Sequence, residues 1–251
     1  MRGGSHMSGP GETDAALRCP VCGRDNDGLA VKCSACGAFI QDRVPALDFF
    51  DTLYGLIEEP SRTLSRIARS EQKNYVYTLF ALLGPFFAAS TLVLLRAGDG
   101  ALDAGELFAA LYLAGFPAGI LFGITATALL KPLLSAFAGR RLRYRSVAAL
   151  TAWSLAPFSV AYAILISAQF AIFGRAFFSW ETPPAELKPA AFWILTGLQA
   201  LAASWSVMLL SRSFRMQGVR SGLAAAAVFL LSALAACVVA AAVAALSGFA
   251  A

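Results

Sequence analysis

The side chains best placed to do chemistry are four cysteines near the N-terminus. Cys19-Pro-Val-Cys22-Gly and Cys33-Ser-Ala-Cys36-Gly form two Cys-x-x-Cys pairs separated by ten residues. Each pair can wrap one edge of a metal ion, and the glycine behind each second cysteine permits the tight turn. Four thiolates at about 2.3 Å close a tetrahedral site with no coordination position left for a substrate, which is the donor set of structural zinc. Iron can take the same set, and two disulfides are the competing use, which needs an oxidising compartment. Residues 18–40 are too few to build their own core, so metal binding and folding are expected to be coupled.

Other chemistry is sparse. The single histidine, His6, lies in Met1–Met7, which reads as an expression-tag remnant, so Ser-His and Cys-His nucleophiles are not expected. Cys237 stands alone among alanines and reads as a small packing residue. The spacer Arg24–Lys32 mixes both charge signs and has no aromatic residue, which disfavours nucleic acid and leaves a protein-docking or purely structural role.

The elements that must carry this site are apolar. The chain is 58% hydrophobic and 14% charged, with mean hydropathy +0.67, whereas soluble domains carry about 25% charge. Residues 8–73 hold much of the polarity, with 8–17 expected to be flexible. Five later stretches, 75–95, 107–130, 146–174, 189–211 and 222–247, are each long enough for a helix across a bilayer, which takes about 20 residues. No Asp, Glu, Lys or Arg lies in their central parts.

Basic residues in the connections orient these spans. Arg62, Arg66, Arg69 and Lys73 precede the first; Lys131, Arg140, Arg141, Arg143 and Arg145 follow the second; Arg212, Arg215 and Arg220 follow the fourth. The other side has Arg96, Arg175 and Lys188 among acids. The N-terminus is therefore expected in the cytoplasm and the C-terminus outside.

Residues 41–73 join the ribbon to the membrane. Phe49, Phe50, Leu53, Leu56 and Ile57 make an apolar stripe, Pro60 interrupts it, and Ser61 can cap a second helix. There Arg62, Arg66 and Arg69 oppose Leu64, Ile67 and Ala68, the pattern of a helix lying in the headgroup region. A helix docked under the bundle with solvated arginines is the compatible alternative.

Within the spans, Gly115, Gly119 and Gly123 make a flat groove for close helix packing or the wall of a conduit, with alanine-rich span five as the expected partner. Pro117 is expected to kink this region. The membrane-depth polar residues, among them Thr125, Thr127, Gln169 and Gln199, can hydrogen-bond between helices but cannot relay protons.

Two motifs carry a family resemblance. Asp51-Thr-Leu-Tyr-Gly55 is similar to an Asp-Leu-Tyr-Gly-Pro motif, with one inserted residue and Leu56 for proline. Ala152-Trp153-Ser-Leu-Ala-Pro157 is similar to a Gly-Tyr-x-x-x-Pro motif, with Ala for Gly and Trp for Tyr. With five spans and a cytoplasmic N-terminus, residues 48–247 resemble the YIP1 family of integral membrane proteins, the ribbon being an added module of bacterial versions. The resemblance implies a bacterial inner-membrane protein and, from eukaryotic members that bind lipidated small GTPases and organise membranes, a scaffold.

The expected fold is an all-α polytopic membrane protein: a four-cysteine zinc ribbon (18–40), a linker with amphipathic juxtamembrane helices (41–73) and a five-helix transmembrane domain (74–251). The expected function is a non-enzymatic adaptor whose zinc ribbon recruits a cytoplasmic protein partner to the lipid bilayer. The competing reading is a channel, transporter or lipid-handling bundle. The glycine grooves can serve internal packing or a homo-oligomer.

Overall fold

The computed structural model describes residues 17–26, 30–40, 46–100, 102–139 and 141–220, together with Ala227, Val228, Ser232, Leu234, Ala235, Ala236, Val239 and Ala242. The tag remnant, all of the 8–17 stretch except Leu17, linker residues 41–45, Arg140, Cys237 and most of the fifth expected span lie outside the described residues.

Two strands, β1 (Leu17–Arg18) and β2 (Asp25–Asn26), pair antiparallel with Leu17 opposite Asn26. Leu17, expected in a flexible lead-in, belongs to the ribbon, because its strand pairs with the one that follows Cys22. A second bridge, Lys32 with Phe39, flanks the other cysteine pair.

Helix α1 (Phe49–Glu58) starts where the Asp48 side chain accepts the Asp51 amide at 2.8 Å. Helix α2 (Pro60–Arg69) starts on Pro60 itself. Ser61, the expected cap, lies instead inside the first turn, since proline needs no amide partner at the first helical position. An Asp51–Arg66 ion pair joins the two helices. They approach closely at Gly55, where a Cβ would sit 2.6 Å from Thr63 Oγ1.

Among the described residues, four helical runs are long and apolar enough to cross a membrane. They are α3 (Val76–Leu94), the pair α4 (Ala104–Leu113) and α5 (Gly115–Ala138), α6 (Tyr144–Phe173) and, after the single turn α7 (Pro184–Leu187), α8 (Pro189–Met216). Their outward faces carry Leu113, Leu121, Leu129, Ile164, Trp193 and Leu201, all exposed. A helix apolar all round suits hydrocarbon rather than water. The described part of the fifth span is helical residue by residue.

The second run is longer than expected and breaks at Ala114 rather than at Pro117. The proline ring meets the carbonyl one turn earlier, that of Leu113, so the discontinuity falls there. Helix α6 continues through Pro157, and beside the proline the Phe158 amide donates to Ser206 Oγ of α8 at 3.1 Å. Ser206→Ala is expected to destabilise the bundle by about 0.6–2 kcal/mol, the range for hydrogen bonds between membrane helices, as read by unfolding in mixed micelles.

Helix α3 packs chiefly on α5 and α6, and α6 on α8. At one end, the α1–α2 hairpin inserts Leu56, Leu64 and Ile67 against Trp153 and Leu209. At the other, Leu107, Leu111, Ile166 and Phe178 close the bundle. Each buried side chain of this size contributes about 1.5–3 kcal/mol, so the hairpin is a fixed collar.

Candidate metal centre and bundle sites

The two knuckles repeat one local geometry. The Cys19 amide donates to Arg24 O at 2.9 Å and the Gly23 amide to Cys19 O at 3.0 Å; the Cys33 amide donates to Ala38 O at 2.8 Å and the Gly37 amide to Cys33 O at 3.0 Å. Both glycines stand at φ 72°, a left-handed conformation that side chains resist. That requirement is the reason for a glycine after each second cysteine.

The loops converge on one point. The four sulfur atoms lie within 4.8 Å of one another. Cys19 and Cys36 are 3.6 Å apart and Cys22 and Cys33 3.5 Å. A tetrahedron of thiolates about 2.3 Å from a central ion has edges of about 3.8 Å, whereas a disulfide needs about 2.05 Å. The four cysteines are free thiols that could hold a metal ion, with Cys19 and Cys33 buried and Cys22 and Cys36 exposed.

Asn26 orders the centre from outside the sulfur set. Its Nδ2 donates to Cys33 Sγ at 3.6 Å and to Arg24 O at 2.8 Å, while its Oδ1 accepts from the Ser34 amide at 2.9 Å and hydroxyl at 3.1 Å. The Cys36 and Ala35 amides, against the cost of burial, hold the Cys33 thiol down to about 6. The Cys22 amide does most to lower Cys19. At Cys22 the Arg24 amide pulls down, but the neighbouring Cys33 and Cys36 thiols and burial outweigh it and push the group up to about 12. Asn26 and Ser34 were not singled out from the sequence; an uncharged amide between Asp25 and Asp27 was the only signal.

The surface arginines divide. Arg66 faces Asp51, Arg62 faces Glu59 at 3.1 Å, and Arg69 Nε donates to Ser65 O at 3.3 Å. Leu64 and Ile67 are fully buried against the bundle, which is the docked arrangement of the two the sequence left open. The exposed apolar stripe lies on α1 instead, at Phe50, Tyr54 and Ile57. Arg141, Arg143 and Arg145 are exposed beside the start of α6. Lys73 Nζ donates to Ile67 O at 2.6 Å and Ala68 O at 2.9 Å, and burial brings it down to about 8.

The glycine groove is filled, and its partner is α3 rather than span five. A Cβ at Gly84 would overlap the Gly115 carbonyl; one at Gly119 would overlap the Phe80 carbonyl and lie 2.7 Å from the Gly84 amide nitrogen. One at Gly123 would enter the Phe80 ring. The fourth glycine, Gly84, is the complement the sequence reading overlooked. The conduit is not formed along this face.

Trp153 and Pro157 sit at the junction of hairpin and bundle. Trp153 is fully buried, with ring centroids of Phe49 at 5.9 Å and Tyr75 at 6.2 Å. The two quoted motifs, on α1 and α6, therefore meet in one core. The membrane-depth hydroxyls of Thr125, Thr127, Ser159 and Ser204 bond to carbonyls of their own helices, whereas Gln199 donates to Gln169 at 2.8 Å and joins α8 to α6.

At the end opposite the hairpin, Asp99 accepts from the Ser179 hydroxyl and from the Trp180 amide at 3.0 Å, and Arg96 covers the Trp180 ring at 4.5 Å. The Ser179 hydroxyl, then the Trp180 amide, hold the Asp99 carboxyl below its usual range despite burial. A lowered carboxylate value adds stability that is complete above the unfolded value, about 3.9, and lost as pH falls through the folded one. Hydrogen exchange at Trp180 and Glu181, corrected for intrinsic rates, should therefore accelerate below that range, and Asp99→Asn should remove the pH dependence.

Compared with protein-family models, curated proteins and solved structures, the chain matches none.

Proposed function

We propose that this chain is a non-enzymatic membrane adaptor: a zinc-stapled cytoplasmic ribbon that recruits a protein partner, carried on a five-span bundle of the bacterial inner membrane. The observation that carries the reading is the division of labour in the ribbon. All four sulfur atoms turn inward, while Val21, at the tip of the first knuckle, is 73% exposed and Phe39, beside the second, 50% exposed. An apolar tip held on a rigid frame loses little freedom when a partner covers it, which favours docking. Lys32, 4.9 Å over the Phe39 ring, adds a charge at its edge.

The orientation rests on the basic residues. Lys131, Arg141, Arg143, Arg145, Arg212, Arg215 and Arg220 are exposed, and their connections share the end that bears the hairpin. An N-terminus in the cytoplasm puts the thiols in a reducing compartment, where four cysteines bind zinc rather than pair. The likeness of Asp51–Gly55 and Ala152–Pro157 to the YIP1 motifs supports a scaffold role, since both motifs serve to seat the collar on α6.

The test separates docking from folding. Val21→Arg should leave the metal content unchanged and remove partners cross-linked to the ribbon in native membranes. Cys19→Ser with Cys22→Ser should remove both. An identical partner set in wild type and Val21→Arg would leave the ribbon a structural cap and sink the adaptor reading.

A further inference from the structure

A cavity of about 720 Å³, open on one side, is walled by α3, α6, α8, Phe122 of α5 and the described helical residues between Val228 and Val239. Its origin is in the sequence. Helix α8 turns Ala200, Ala203 and Ser206 toward it, and the last helical residues add Ser232, Ala235 and Ala236. Small side chains on two neighbouring elements cannot fill the space facing Phe86 and Phe158. The space is left open along one side, so it is accessible from the surroundings of the bundle. The volume is within the range of ligand pockets, about 300–1,000 Å³.

Three features select the occupant. First, the described lining contains no charged side chain. Secondly, the lining on α3 runs from Leu83 to Leu94, which at the helical rise is about 16 Å; one leaflet of bilayer hydrocarbon is about 15 Å deep. Thirdly, the space has a floor and an open side. Leu83 and Leu210 are buried at one end, whereas Leu94, Val207, Ser232 and Ala236 are exposed along the rim. Ser90 of α3 and Thr196 and Gln199 of α8 also line the space.

We infer that this cavity binds one hydrocarbon chain of a membrane lipid, admitted sideways from the bilayer. The described lining is uncharged throughout, and the hydroxyls of Ser90 and Ser206 are already bonded within the bundle, to the Phe86 carbonyl and the Phe158 amide, so the surface offered to a chain is overwhelmingly apolar. The inference is independent of what the ribbon recruits.

The full chain in nanodiscs containing a phospholipid with a diazirine at mid-chain gives a direct test. After irradiation, adducts are mapped by mass spectrometry. Wild type should be labelled inside, at Phe86, Phe158 or Ala203, as well as on the outward Leu121, Leu129 and Leu201. Ala203→Phe should lower the inside labelling by about an order of magnitude and spare the outward set. Ala200→Phe, at an exposed rim position, makes the same demand with less cost to packing. Labelling confined to the outward faces in wild type, or inside labelling unchanged in both variants, would overturn the inference.

Discussion

Cys33→Ser is expected to unfold residues 17–40 as a unit and to abolish metal binding, while the bundle keeps its thermal stability. The ribbon has almost nothing else to fold with. Its strands are two residues each, its buried hydrophobic side chains among the described residues are Cys19 and Cys33 themselves, and Val21 and Phe39 point outward. Structural zinc supplies about 10–16 kcal/mol of apparent binding energy in peptides of this size, which is most of what such a ribbon has. Metal analysis of the purified chain should give one zinc per molecule for wild type and none for the variant. Amide signals from the ribbon should collapse to random-coil positions, and a chelator should reproduce the collapse in wild type. Asn26→Ala should act more mildly, because it removes a donor to Cys33 and the tie to Ser34 but leaves four sulfurs; a loss of about 10–100-fold in metal affinity is usual for such partners. Ribbon signals that keep their dispersion after complete metal removal would refute the zinc-coupled fold.

Gly119→Leu is expected to prevent the bundle from assembling. A Cβ at this position already overlaps the Phe80 carbonyl and the Gly84 backbone, neither of which can rotate aside. Overpacking of side chains alone costs about 1–3 kcal/mol; backbone that cannot yield puts this site above that range. Gly84→Ala should fail for the reciprocal reason, meeting the Gly115 carbonyl. Gly197→Ala is the control: nothing lies within 4 Å of its Cβ position, and alanine favours the helix. Size-exclusion profiles and thermal unfolding in detergent should separate the three. A folded, monodisperse Gly119→Leu protein would contradict the α3–α5 crossing and reopen the groove as a conduit.

What was legible in the sequence was whatever depends on local spacing or on bulk transfer from water. Cysteine spacing with a glycine after each pair dictates a knuckle, because the turn closes within five residues and needs a left-handed backbone at one of them. Length without charge marks a spanning helix wherever it occurs, since the cost of burying charge in hydrocarbon does not depend on what the helix touches. Partner choice was not legible, because it depends on shape across elements distant in the chain. The groove of Gly115, Gly119 and Gly123 advertised a close approach but not from which helix; Gly84 answers it. Pro157 announced a lost hydrogen bond but not that the Phe158 amide beside it meets Ser206 of another helix. The second amphipathic helix showed two faces, and only the docked collar decided that Leu64 and Ile67 meet protein while Phe50, Tyr54 and Ile57 of α1 remain outside. The cavity is the same lesson in reverse: alanines spread over two segments look like good packing residues one by one, and become a binding space only when tertiary structure sets them opposite rings that cannot reach them.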